Sequence, residues 1–251
     1  MKKTIYILSV LILSSYSFCY ALTRGEIREQ IRWTVGDVAP QASTMTYRWS
    51  DDILNKRINI VQEEIASLTK CIVNRSTNVA LIANQREYIL PDDALNIIRV
   101  AFWITGSTAS HKSLEWRSIG GLDNEMPFWE TLAGGIPLKY YQRGKYIGLV
   151  PPPSSSYAAT GNLKIDYVAR PQPLSNDSDI PFNSDPYLYP YHKLIVLGVA
   201  IMCFTDDGNA NMTAIIENKY YTLLNRMIED VNYQPDKKQN MILFSIPTTN
   251  K

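Results

Sequence analysis

The chain of 251 residues carries 25 basic and 24 acidic side chains, and 45% of its residues are hydrophobic. This composition excludes a disordered chain, and the length allows one large domain or two small ones with a substantial core. A net charge of +1 leaves no basic surplus for neutralising phosphates, which argues against a general nucleic-acid binder.

Residues 1–21 have the pattern of a secretory signal peptide. Lys2 and Lys3 precede an apolar run at residues 5–13, and small and polar residues follow it. The run is too short for a membrane-spanning helix. A start codon placed too far upstream, or an N-terminal helix that packs on the protein, are the alternatives. Without this leader the 25 basic residues become 23 against 24 acidic ones, a net charge of −1.

Apolar spacing predicts an N-terminal helical arm over residues 22–75. Its first helix covers residues 23–35, and its second starts after Ser50, a favourable N-cap, and ends near residue 70. The apolar residues of the second helix are spaced by four and three, which favours packing on other helices. These residues are Leu54, Ile58, Val61, Ile65 and Leu68.

A central β domain is predicted over residues 76–170. Alternating apolar residues indicate three strands between residues 78 and 104, with turns between them. The later segments are a short strand at 113–117, a loop at 120–135, a hairpin of 136–141 with 146–150, a connector at 151–156 and a last strand at 163–167. Six or so strands would form a sandwich or a small barrel.

The C-terminal part begins with a Pro-rich linker at residues 171–190 and continues as a helical arm at 191–233. The first helix of this arm is apolar on nearly all sides, as buried helices are, and the second has an apolar stripe. The stripe consists of Ile216, Tyr220, Leu223, Met227 and Val231. The predicted fold class is therefore α+β, a helical bundle from the N- and C-terminal arms that flanks a central antiparallel β-sandwich or small barrel.

The two helical arms carry more apolar surface than one small bundle needs. We therefore predict that helices also pack between copies of the chain, and that a charge in such a contact would disrupt it. The predicted subunit-packing residues are Leu54, Ile58, Val61, Leu223 and Met227.

An extended tail at residues 234–251 holds a short apolar segment behind a polar tether. The apolar residues are Met241, Ile242, Leu243, Phe244 and Ile246. Such a patch is too apolar to stay in water, so we predict that it docks on another chain, at a sheet edge or in a groove. Folding back over the chain's own helices is the alternative.

The residue types that catalysis needs are sparse. His111 and His192 are the only histidines, and neither has a second histidine or a cysteine at metal-ligand spacing. The sequence has no glycine-rich phosphate loop, nucleophile elbow or zinc-binding helix motif. The paired carboxylates at 92–93 and 206–207 are typical of a turn and of a helix end. We predict no catalytic residue, no metal and no cofactor.

Several segments together resemble the head–tail adaptor proteins of short-tailed phages, of the tail tubular protein A type. The resemblance covers about residues 22–232. The segments that carry it are LTRGEI (22–27), YRWSDDIL (47–54), NIVQEEI (59–65), YILPDD (88–93), IPLKY (136–140), LVPPP (149–153), the strand at 163–167, the pair at 173–174 and the apolar helix from Tyr191. The chain departs from the pattern in its leader, and in Asn84, where such adaptors often carry Gly. Asn tolerates a turn of this kind because it can adopt positive φ.

This resemblance implies a dodecameric homo-oligomeric ring below the portal protein in the virion, at the head–tail interface. Such a ring would extend the DNA channel, seat the tail nozzle or tail tube protein, and let DNA pass without sequence-specific binding. The near-neutral charge agrees with a surface along which DNA slides. Two rival functions come from other classes. The leader favours a secreted periplasmic or surface binding module without catalytic activity, and an enzyme would need a site built from scattered residues.

Overall fold

The computed structural model describes residues 20–38, 47–104 and 111–232. Two N-terminal helices open the fold, α1 (Arg24–Val35) and α2 (Asp51–Thr69). Thr23 caps α1 in a reciprocal capping box with Glu26, and the Ser50 side chain accepts from the Ile53 N–H at the start of α2. The predicted helices and the predicted cap at Ser50 are therefore confirmed.

In the described part of the chain, eight strands form two four-stranded sheets. The strands are β1 (Val73–Ala80), β2 (Glu87–Ile89), β3 (Ala94–Ile104), β4 (His111–Ser113), β5 (Glu115–Trp116), β6 (Lys139–Arg143), β7 (Tyr146–Val150) and β8 (Gly161–Ala169). The first sheet has the order β1-β8-β3-β4 and the second the order β2-β7-β6-β5, with antiparallel pairing except between β5 and β6. Within the described residues neither sheet closes on itself, so the barrel alternative is wrong and the two-sheet alternative is confirmed.

The inward side chains of the two sheets share one core with the helices. Val100 and Ile165 from the first sheet and Ile147 and Leu149 from the second are fully buried in it. A smaller cluster covers the other face of the second sheet, where Trp129 packs edge-on against Tyr141. Both faces of the second sheet are therefore covered.

Two short helices replace predicted irregular segments. The stretch predicted as a loop at residues 120–135 contains α3 (Ile119–Glu125), capped by Ser118, and a 3-10 turn at Trp129–Thr131. Leu122 and Trp129 are buried against the second sheet and give this stretch a small core of its own. The short apolar pattern of the stretch did not predict this helix. Part of the predicted connector at 151–156 belongs to α4 (Ser155–Thr160).

The C-terminal helices are α5 (His192–Asp206) and α6 (Ala210–Asn232). Helix α5 lies at the centre of the bundle, where α1, α2 and α6 pack on it. Segment Pro186–Asp206 is long and apolar enough for a membrane span by length and composition, but 67% of its most apolar window is buried inside the protein. It is the core helix that the sequence predicts.

The Pro-rich segment at residues 171–190 is bonded to the first two helices. Asp177 pairs with both Arg24 and Arg28 of α1, and these guanidinium groups hold the pKa of the Asp177 carboxyl far below its usual range. On α2, Asn59 exchanges two hydrogen bonds with the backbone of Leu174. The segment is therefore a strap that ties α5 to the N-terminal helices.

Candidate interaction surface

A surface groove runs along one side of α5, between this helix and α6. The chain enters α5 through a 3-10 turn, Pro186–Tyr191, whose start is fixed by the Asp185 side chain accepting from the Tyr187 N–H at 3.0 Å. At the far end of α5, Gly208 adopts a φ of 68° and turns the chain into α6. The two helices then pack closely, and the groove follows their seam.

Two adjoining hollows make up this groove, and both are lined by Leu223 and Arg226. One hollow is completed by Pro186, Tyr187, Pro190, Tyr191 and Asp230, and the other by Lys193, Leu197, Asn218, Lys219 and Thr222. Leu197 is 5% exposed and Leu223 is half-buried, so the floor of the groove is apolar.

Hydrogen bonds to Asp230 fix one end of the groove. The Tyr187 hydroxyl donates to the backbone carbonyl of Asp230 at 2.9 Å, and the Tyr191 hydroxyl donates to its carboxylate. Burial, and then the bond to Asp230, raise the pKa of Tyr191 well above its usual value, so this phenol stays protonated as a donor. The wall made by the 3-10 turn is thereby held against α6.

The rim of the groove is basic. Lys193 and Lys219 are exposed, and the side chain of Arg226 is 74% exposed. Asp230 is the one acidic residue in the lining, at 3.8 Å from the Arg226 guanidinium. An apolar floor with a cationic rim suits a partner surface that combines apolar and acidic side chains.

The predicted subunit-packing residues divide into two groups. Leu54, Ile58, Val61 and Met227 are at most 2% exposed and lie in the chain's own core, whereas Leu223 lines the groove. Their role between subunits stays a prediction, and Leu223 alone among the five presents surface to a neighbour. The apolar tail segment at residues 241–246 lies outside the described residues, as do residues 1–19 of the leader.

Sequence reasoning missed the rest of the groove. Lys219, Leu223 and Arg226 are spaced by four and three on α6, which is the signal that could have revealed them as one face. The 3-10 turn carried no comparable signal, because its prolines indicated only a linker.

Burial disfavours the charged forms of two reactive side chains in the described part, those of His192 and Cys71. His192 is fully buried, and its Nδ1 accepts a hydrogen bond from the Leu22 N–H at 2.9 Å. Burial lowers its pKa to about 4, so it is neutral. Burial also raises the pKa of the Cys71 thiol to about 11, which disfavours a thiolate. Among the described residues, no group of three or more His, Cys, Asp or Glu could hold a metal ion.

Comparison with known protein families assigns most of the chain. Residues 22–242 match the family described as "SU10 adaptor protein", and the match begins directly after the predicted leader. A search of curated proteins found no match. The matched part contains every described helix and strand, including the groove. The chain belongs to the SU10 adaptor protein family of phage head–tail adaptors, and is therefore a virion component with a structural, non-catalytic role.

Proposed function

We propose that the chain forms a closed homo-oligomeric ring, a dodecamer, that sits under the portal protein and extends the DNA channel. The observation that carries this proposal is the groove on α5 and α6, an apolar floor centred on Leu223 that the described residues leave open. A monomer that completed its own bundle would cover such a surface, whereas a ring subunit needs it for its neighbour.

The ring's other partners follow from its place in the virion. The face away from the portal seats the tail nozzle or tail tube protein, and DNA passes through the lumen without sequence-specific binding. Support comes from the near-neutral charge of the chain, which holds DNA weakly.

Mass measurement of the assembled species tests the ring. We expect a single closed oligomer, formed by the chain alone or on its portal, and the measured mass gives the number of copies. The intact mass of one subunit in the same sample shows whether residues 1–21 are retained. A chain that stays monomeric at high concentration and beside its portal would overturn the proposal.

The tail adds a second contact in this proposal. Residues 241–246 dock on a neighbouring subunit or on the portal, at a sheet edge or in a groove. Helix α6 ends at Asn232, two residues beyond Asp230 in the groove, and the tether at residues 235–240 reaches at most about 20 Å. The described chain therefore ends beside a surface at which another chain can bind.

Deleting residues 236–251 separates docking from folding back. Docking predicts a monomer of unchanged melting temperature that no longer attaches to its partner. A truncated chain that melts several degrees lower and still assembles would show that the tail belongs to its own core.

A further inference from the structure

Helix α5 is enclosed on three sides by its own chain. Helices α1, α2 and α6 pack on it, while α1 and α6 make no extensive contact with each other. Gly198 of α5 faces Val61 of α2, and Lys193 is turned about 140° around α5 from Gly198. The open side of α5, which is the groove, is thus directed away from α2.

The outward face of α2 carries two exposed isoleucines. Ile53 and Ile60 are 39% and 56% exposed, and their spacing of seven residues places them on one side of the helix, about 10 Å apart. Glu64 and Ser67 are also exposed and follow on the same side. Ile53 and Ile60 thus form a ridge two turns long, with Lys56 and the half-buried Arg57 between them along the helix. The ridge is turned about 80–100° around α2 from Val61 and lies beside the face that packs on α5.

Acidic side chains dominate the flanks of this ridge. Asp52, Glu63 and Glu64 are exposed there, against the single exposed cation Lys56, which pairs with Asp52. The groove has the opposite character, with Lys193, Lys219 and Arg226 around an apolar floor. One surface of the chain is thus apolar and acidic, and the other is apolar and basic.

The groove is long enough to hold this ridge. From Asn218 to Asp230 the α6 wall of the groove extends for about 18 Å, whereas Ile53 and Ile60 lie about 10 Å apart. A helix laid along the groove would bring a fourth helical neighbour to α5.

We propose that the outward face of α2 of one copy lies in the groove of the next copy. Ile53 and Ile60 pack on Leu197 and Leu223, and the acidic flanks of α2 meet the basic rim. The proposal rests on the ring of the proposed function and names its contact. Because the two surfaces differ, the contact is head-to-tail, which is the kind that closes into rings.

Cross-linking between chains tests this contact. A double variant, Ile60→Cys with Leu223→Cys, is treated with a short thiol-specific cross-linker after assembly, alone or on the portal. We expect a ladder of covalent oligomers, because each chain places the thiol at position 60 against one neighbour and the thiol at position 223 against the other. The matched control is Ile89→Cys with Leu223→Cys, since Ile89 on β2 is 58% exposed and lies off the proposed contact. Its products, including any from the native cysteines, give the background.

Charge substitution gives a second measurement. Ile60→Lys places a cation against the basic rim and should weaken self-association at least about tenfold. Ile89→Lys, of matched exposure, should leave it unchanged. Both variants alter exposed side chains, so their melting temperatures should match the wild type.

The two proposals fail in different ways. If the wild-type chain assembles, but the Ile60/Leu223 pair cross-links no better than the control and Ile60→Lys assembles normally, the contact is wrong and the ring stands. If the wild-type chain does not assemble even on its portal, the ring itself is wrong.

Discussion

Gly198 on α5 lies so close to Val61 on α2 that a β carbon on Gly198 would be 2.6 Å from Val61 Cγ1. The ring of Tyr220 on α6 would be 3.3 Å away. The missing side chain therefore lets three helices meet at one point in the bundle. This contact fixes the packing of α2 and, with it, the direction of the outward face of α2.

Gly198→Ala should destabilise the protein by about 1–3 kcal/mol, because overpacking here outweighs the gain in helix propensity of about 1 kcal/mol. Chemical denaturation measures the change. The control is Gly120→Ala in α3, where a β carbon meets nothing within 4 Å and should leave stability equal or slightly higher. Equal stability of the two variants would contradict the tight contact.

Arg32→Ala should destabilise the protein by about 3–5 kcal/mol. Arg32 is 1% exposed, its Nη1 lies 2.8 Å from Asp37, and its removal leaves the Asp37 carboxylate nearly buried without a cation. The free energy of unfolding is the readout. Lys56→Ala serves as control, since Lys56 and its partner Asp52 are 72% and 73% exposed and the loss of this pair should cost at most about 1 kcal/mol. The Asp37 carboxylate also accepts hydrogen bonds from the backbone N–H groups of Arg48 and Trp49, and a mild effect of Arg32→Ala would show that these two donors satisfy it alone.

Stability should fall between pH 6.5 and pH 4 because of His192. Its pKa is about 4 in the folded protein and near 6.5 in the unfolded chain, so the unfolded chain takes up the proton first as the pH drops. The loss is absent above pH 6.5 and reaches about 3 kcal/mol at pH 4. Unfolding curves measured across this pH range give the slope of the free energy of unfolding against pH. His192→Asn should flatten it, while His111→Asn should keep it, and equal slopes for both variants would rule the buried histidine out.

Ile65→Lys should unfold the bundle, whereas Leu68→Lys should change the free energy of unfolding by less than about 0.5 kcal/mol. The sequence places both in the buried stripe of α2, but Ile65 is 0% exposed and Leu68 is 41% exposed. Thermal melting of both purified variants checks the difference. A large loss of stability in Leu68→Lys would show that Leu68 packs in the protein core, as the sequence predicts.

The helices were predictable because their apolar spacing and caps are local signals. Ser50 lies ahead of α2, and the apolar residues follow at spacings of four and three, at Leu54, Ile58, Val61 and Ile65. Both patterns can be recognised in the sequence without knowing what the helix packs against. The prediction that Leu68 is buried is wrong. In the last turn of α2 it is Thr69 that is buried, and the Thr69 hydroxyl donates a hydrogen bond to the Ile65 carbonyl.

The turn at Asn84 was predictable for a related reason. Its φ of 60° lies in the left-handed region, which Asn tolerates better than most residues. The pairing of strands was not predictable, because β8 lies between β1 and β3 although it is far from both in sequence. Such long-range order leaves no local pattern.

The groove could be predicted only in part. Leu223 was expected at a subunit contact, and it does line the surface. Met227, four residues later, belongs to the same apolar stripe yet is fully buried, because the position of α5 decides which edge of the stripe is covered. A helical pattern shows which face of a helix is apolar, but not how much of that face the neighbouring elements will cover.

The strap at residues 171–190 determines how the fold would bear mechanical load. A pull on the β domain reaches α5 both through α2 and through this segment, which is bonded to Arg24, Arg28 and Asn59 of α1 and α2. A force applied there would therefore be spread over three helices instead of stretching one connection.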